Sequence, residues 1–201
     1  MDLIGATFLA LLPITNPIGA VAAFAGLAGD ADRRAARRMA LRTALYVAII
    51  LAVFALLGSL VLEAFGITLP ALQLAGGVVV AHSGFGMITA SPRLTDGERD
   101  HAVSKDDVSF SPMAVPLIAG PGAMGVVIAL ASRHPALADR AWIAVGGVLI
   151  GGLFAACLAL GAPLVRRLGP TGVGAITRIM GFLILAIGAE LVLHGVRSGL
   201  A

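Results

Sequence analysis

Pro13-Ile-Thr-Asn16-Pro17-Ile-Gly19-Ala20 and Pro116-Leu-Ile-Ala-Gly120-Pro121-Gly122-Ala123 each lie inside a long apolar run, and their reading decides the fold. Pro17 lacks the N–H that would bond the carbonyl of Pro13, and its ring clashes there; Pro13 does the same to the carbonyl of Leu9. A helix cannot pass through such a stretch unbroken. The residue types also describe a restart. Asn16 is a strong N-cap, and Pro17 suits the first helical position, where its missing N–H costs nothing. Gly120 and Pro121 repeat the arrangement. The sequence therefore predicts two half-helix N-termini, each in the middle of an apolar segment.

Those segments belong to a membrane protein. Of 201 residues, 59% are hydrophobic and only 12% charged, against about 25% charged in a typical soluble domain, and the mean hydropathy is +1.00. Uncharged runs of 20 residues between Arg42 and Glu63, 25 between Asp107 and Arg133 and 25 between Arg140 and Arg166 suffice to cross a hydrocarbon core about 30 Å thick. The expected fold is all-α and polytopic, a single transmembrane domain over 1–201. Its six spans are placed at 3–28, 43–63, 67–89, 110–132, 140–165 and 173–197. The first and fourth are broken near mid-membrane, and Gly66 and Pro70 punctuate the turn between the second and third. Backbone groups freed at the breaks cannot face lipid, so they must lie inside the protein or line a wet cavity.

Charge placement gives an orientation. Lys and Arg dominate topology, while acidic residues count little. Arg33, Arg34, Arg37, Arg38 and Arg42 follow the first span, Arg93, Arg99 and Lys105 the third, and Arg166, Arg167 and Arg178 the fifth. The opposite side has only Arg133, Arg140 and Arg197. Both termini are thus expected on the outer, periplasmic face of a bacterial inner membrane. A cleavable signal peptide is not expected, because no basic stretch precedes the first apolar run.

The net charge, 14 − 11 = +3, is spread over helix ends rather than gathered in a patch, which excludes a nucleic-acid surface. Cys157 has no second cysteine to pair with and reads as a small buried hydrophobe. There is no HExxH, no GxSxG and no His/Asp/Glu cluster within a span, so neither an enzyme, a metal site nor a cofactor is expected.

The two proline motifs also share an offset with a second landmark. Pro17 and Pro121 are 104 residues apart; Gly76 of Gln73-Leu-Ala-Gly76-Gly and Gly181 of Arg178-Ile-Met-Gly181-Phe are 105 apart. This divides the chain into a first repeat (1–90), a cytoplasmic linker (91–109) and a second repeat (110–201). Three spans per repeat force the second to enter from the opposite side, which gives two inverted three-helix repeats, a plan of secondary transporters. Inverted symmetry would bring the two breaks together.

A helix N-terminus presents unpaired N–H groups and about half a positive charge, enough to hold carboxylate or phosphate without a basic side chain. Carbonyls released before each break can accept from an ammonium group or a cation. Pro13, Thr15, Asn16, Pro17, Gly19, Gly120, Pro121 and Gly122 are therefore the candidate substrate-binding residues, for a compact zwitterion. His82, Arg178 and Glu190 are candidates for gating or coupling, since ionisable groups within a span are costly and His titrates near neutrality; Gln73 joins them on the family resemblance given next.

At these motifs the chain resembles the MarC family of bacterial inner-membrane proteins. The matching residues are Leu12-Pro-Ile-Thr-Asn-Pro17-Ile, Phe24-Ala-Gly-Leu-Ala28, Leu74-Ala-Gly-Gly77, Gly84-Phe85, Pro116-Leu-Ile-Ala-Gly-Pro-Gly122 and Arg178-Ile-Met-Gly-Phe182. The resemblance covers nearly the whole chain and implies six spans with outward termini. Some members are described as neutral amino-acid transporters, and the fold is grouped with LysE-type exporters. It thus implies a transporter of small neutral amino acids working by alternating access. Members often carry a basic residue where this chain has Gln73, whereas Arg178 keeps it in the second half, which weighs against any role requiring both charges. The expected partners are a small-molecule substrate, the lipid bilayer and, as an option, further copies of the chain. A channel and a non-transporting accessory subunit are the alternatives.

Overall fold

A computed structural model describes residues 2–28, 32–89 and 107–200. Most of the 91–109 linker, with Arg93, Arg99 and Lys105, lies outside the described residues. The described residues are helical almost throughout, without strands. Four helices are long and apolar enough to cross a membrane, and six spans result if each of two bent pairs counts as one.

The first bent pair is α1 (Leu3–Thr15) and α2 (Pro17–Leu27), turned by 47° at Asn16. Asp2 opens α1 by accepting from the Gly5 N–H at 2.6 Å. α3 (Arg33–Ala64) is longer than the 43–63 span expected for it. Asp32 Oδ1 accepts from the Ala35 N–H at 2.6 Å, and the following Arg and Ala residues are strong helix formers. The arginine cluster is therefore a helical extension, not a loop. Its 32 residues reach about 48 Å, well beyond the hydrocarbon. Gly66, at φ 64°, makes the turn into α4 (Leu69–Ile88), which Thr68 caps through the Ala71 N–H at 3.4 Å.

The second bent pair departs from expectation. Its C-terminal arm, α5 (Pro121–Arg133), is regular, and the pair bends by 62°. Its N-terminal arm, Ser109–Ile118, is no ordinary half-helix. It winds in wide turns, with the Met113 N–H on the Val108 carbonyl and the Ala119 N–H on the Ala114 carbonyl, and its backbone is extended at Ser111 and Val115. Pro112 and Pro116 explain this. Each removes an N–H, and each drives the residue before it out of the helical region.

α6 (Leu137–Leu160) and α7 (Ala162–Leu200) complete the chain. α6 begins and ends a few residues before the expected 140–165, closing where the Gly161 N–H bonds the Cys157 carbonyl at 2.7 Å. α7 is interrupted at Gly169 (φ 66°), ahead of Pro170.

α4 packs along α7 and α3 along α6, while the two bent pairs lie between these flanking pairs. Lipid is as apolar as leucine, so close backbone packing rather than water exclusion must hold such helices together. The α4–α7 seam has that character. A Cβ on Gly84 would sit 2.5 Å from the Leu185 nitrogen, and one on Gly181 would sit 2.8 Å from the Gly84 carbonyl. Between α4 and α5, the Cβ position of Gly125 is 3.7 Å from the Cα of Gly76. At the arginine-rich end, α3 is fastened to the second broken span. Arg42 pairs with Asp107 at 2.5 Å, the Thr43 hydroxyl donates to the Ser109 carbonyl at 3.1 Å, and Tyr46 and Phe110 meet edge to face at 5.4 Å.

Candidate functional site

Asn16 is the whole of the first break. It takes the left-handed conformation (φ 47°, ψ 73°), which Asn tolerates better than most side chains. Its N–H donates to the carbonyls of Leu12 and Pro13 at 3.3 and 3.2 Å, which closes α1. Its Oδ1 accepts from the Gly19 N–H at 3.2 Å, and its carbonyl from the Ala20 N–H at 3.0 Å, which opens α2. One residue thus ends one helix and starts the next. A Cβ at Gly19 would lie 2.2 Å from the Asn16 Nδ2, so a side chain there would have to displace the capping amide.

The carbonyl that Pro17 orphans, that of Pro13, accepts from the Asn16 N–H. The Thr15 hydroxyl likewise turns inward along its own helix, donating to the Leu11 carbonyl at 2.9 Å. Thr15 and Asn16 are both buried. The first break satisfies most of its own polar groups.

The second break does not. Gly120 is extended (φ −78°, ψ 179°), and no side chain caps α5. Pro121 has no N–H to satisfy. The N–H groups of Gly122 and Ala123 open the helix without a side-chain acceptor, and the first intrahelical bond runs from the Met124 N–H to the Gly120 carbonyl at 3.0 Å. A Cβ at Gly120 would lie 2.4 Å from the Pro116 carbonyl oxygen, a backbone atom that cannot swing aside.

Beside this end lies a cavity of about 140 Å³, lined by Gly120, Pro121, Gly122 and Ala123 together with Ile14, Val80 and Ser83. Ile14 stands two residues before the first break, and the Cβ position of Gly122 is 3.7 Å from its Cγ2. The cavity therefore joins the approach to one break with the mouth of the other. A helix N-terminus in a largely apolar cavity is a local attractor of negative charge. Among the described residues no group of three or more His, Cys, Asp or Glu gathers to hold a metal.

The description "MarC family integral membrane protein" matches residues 1–200. The inner membrane protein MarC of Salmonella paratyphi A is 35% identical over 98% of this chain and 96% of its own length. That of Escherichia coli is 32% identical over 96% of this chain and 93% of its own. The chain belongs to the MarC family. No solved structure matches it.

Within this MarC-family architecture the other candidates scatter. Gln73 is buried on α4, and its Oε1 has no hydrogen-bond partner among the described residues. His82, one residue from the cavity-lining Ser83, is exposed and does not line the cavity. Arg178 and Glu190 are exposed on α7, where Glu190 meets the Nδ1 of His194 at 3.1 Å. None of these four lines the cavity at the second break. The residues that sequence reasoning left out of the site include Ile14, Val79, Val80 and Ser83. Ser83, a small polar residue inside an apolar span, carried a legible signal. Val79 and Val80 carried none, since nothing local distinguishes them from their neighbour Val78.

Proposed function

We propose that the protein is a transporter of small solutes, with compact neutral amino acids as substrates, and that it works by alternating access around the cavity at Gly120–Ala123. The observation that supports this best is the uncapped N-terminus of α5 opening into a cavity that Ile14 of the other broken span also lines. The Gly122 and Ala123 amides suit a carboxylate, and the cavity volume suits a solute a few heavy atoms in size. The pairing of α3 with α6 and of α4 with α7, around two bent spans, supports an arrangement as inverted repeats. In that arrangement the arginine-rich end faces the cytoplasm and both termini face outward. The substrate and the bilayer are then the protein's partners, and no covalent chemistry is involved.

The test is flux of radiolabelled glycine and alanine into proteoliposomes. Saturable uptake is expected in the native protein. Gly122→Leu, whose side chain would fill the cavity from a position 2.9 Å from Val80 Cγ2, should abolish it. Flux that never saturates and survives this substitution would make the protein a channel. No flux of any small solute would leave it without a transport role.

A further inference from the structure

Three buried side-chain polar atoms among the described residues have no hydrogen-bond partner: Gln73 Oε1, Ser132 Oγ and Arg140 Nε. An orphaned buried polar group costs free energy, and a site built to hold a polar ligand accounts for the cost. Two of these three residues line one space. At the end of the bundle where α3 turns into α4, Ser132 and Arg140 line a cavity of about 480 Å³ together with Glu63, Thr68 and Ser59. Among the described residues neither Arg140 nor Glu63 forms an ion pair. A guanidinium, a hydroxyl and a carboxylate thus line one recess, none neutralised by another. An arginine presents planar, paired donors that match a carboxylate.

We propose that this recess is a second binding site, distinct from the cavity at Gly120, for a small zwitterionic amino acid. Arg140 and Ser132 take the carboxylate, and Glu63 takes the ammonium group. α4 and α5, which flank the first cavity through Val80 and Gly122, also reach this one through Thr68 at the head of α4 and Ser132 near the end of α5. In the orientation proposed above the recess opens outward. That placement rests on the transport reading; the binding itself does not.

The experiment is equilibrium binding of tritiated alanine to the full-length protein in phosphatidylcholine nanodiscs. Two equivalents are expected. Arg140→Gln should weaken one of them at least about tenfold and leave the other, while Gly122→Leu should remove the other. The equivalent that survives Arg140→Gln also reports that this variant is folded. Glu63→Gln, at an exposed residue, should erase the preference for alanine over propionate at the same site, because propionate lacks the ammonium group. A single equivalent lost in Gly122→Leu and untouched by Arg140→Gln would overturn this site and spare the transport reading. A single equivalent lost only in Arg140→Gln would do the reverse. Competition by phosphatidylethanolamine in the nanodisc, with no displacement by free alanine, would assign the recess to a lipid headgroup and overturn the proposal.

Discussion

Asn16 holds two jobs that are usually given to two residues, and its substitutions should separate them. Alanine removes the Oδ1 that caps α2 and places a Cβ in a left-handed conformation, at a combined cost of about 1–3 kcal/mol. Glycine removes the same oxygen but relaxes the backbone, and as an N-cap it costs only a few tenths of a kcal/mol. Asn16→Gly should therefore melt close to the native protein in detergent and Asn16→Ala well below it. Equal melting of the two would show that the left-handed turn is not what requires asparagine. Asp107 gives a second test at this scale. Burial alone would raise its carboxyl pKa, but hydrogen bonds from the Ser109 hydroxyl and N–H, with Arg42 beside it, outweigh burial and hold it below its ordinary 3.8. A depressed carboxylate contributes stability that is fully present above its unfolded value and lost as the pH falls through its folded one. The melting difference between the native protein and Asp107→Asn should be constant at neutral pH and shrink only below 3.8. Persistence at lower pH would mean that Asp107 acts through hydrogen bonds that do not need its charge.

At the scale of elements, both breaks were legible because proline and cap chemistry is local. Asn16-Pro17 and Gly120-Pro121 announce a helix start whatever surrounds them. The wide winding of Ser109–Ile118 was harder to foresee, since Pro112 and Pro116 remove donors from successive turns and the chain must find a compromise between them. Which face each helix turns inward was largely illegible. In a soluble protein polarity marks the outer face, but lipid is apolar too, so His82 and Ser83 look alike until the packing is known. The same physics makes the glycine seams the sensitive places. Gly84→Ala would drive a methyl group against the Leu185 backbone of α7 and should cost about 1–3 kcal/mol, as overpacking does. Gly152→Ala, where a Cβ meets nothing within 4 Å, should be neutral or stabilising by up to about 1 kcal/mol. Thermal melts of the two variants side by side would decide this, and equal melting would mean that the α4–α7 seam yields freely.

For the whole molecule, the positive-inside count makes a statement that does not depend on any site. Ten or eleven basic residues on one side against three on the other should fix a single orientation. An impermeant maleimide added to intact cells should label a cysteine placed at position 2 in a Cys157→Ser background, and should fail to label one placed at position 34. The reverse pattern would invert every assignment of inner and outer made from charge. Membrane class and the positions of the breaks could be read from the chain alone, because each depends on composition or on neighbours in sequence. The cavity could not, because Ile14, Val80 and Gly122 meet only through the packing of three helices.

The contact of Gly76 with Gly125 joins α4 to α5 through nearly bare backbone. A joint between bulky side chains behaves like a ratchet, since each step of sliding must lift one rotamer set out of its groove. A joint between glycines behaves like a bearing, with no side-chain teeth to disengage and no side-chain entropy at stake. If any part of this bundle can rock without unpacking, it is there. A bridge between Gly76→Cys and Gly125→Cys should then halt flux without lowering the melting temperature.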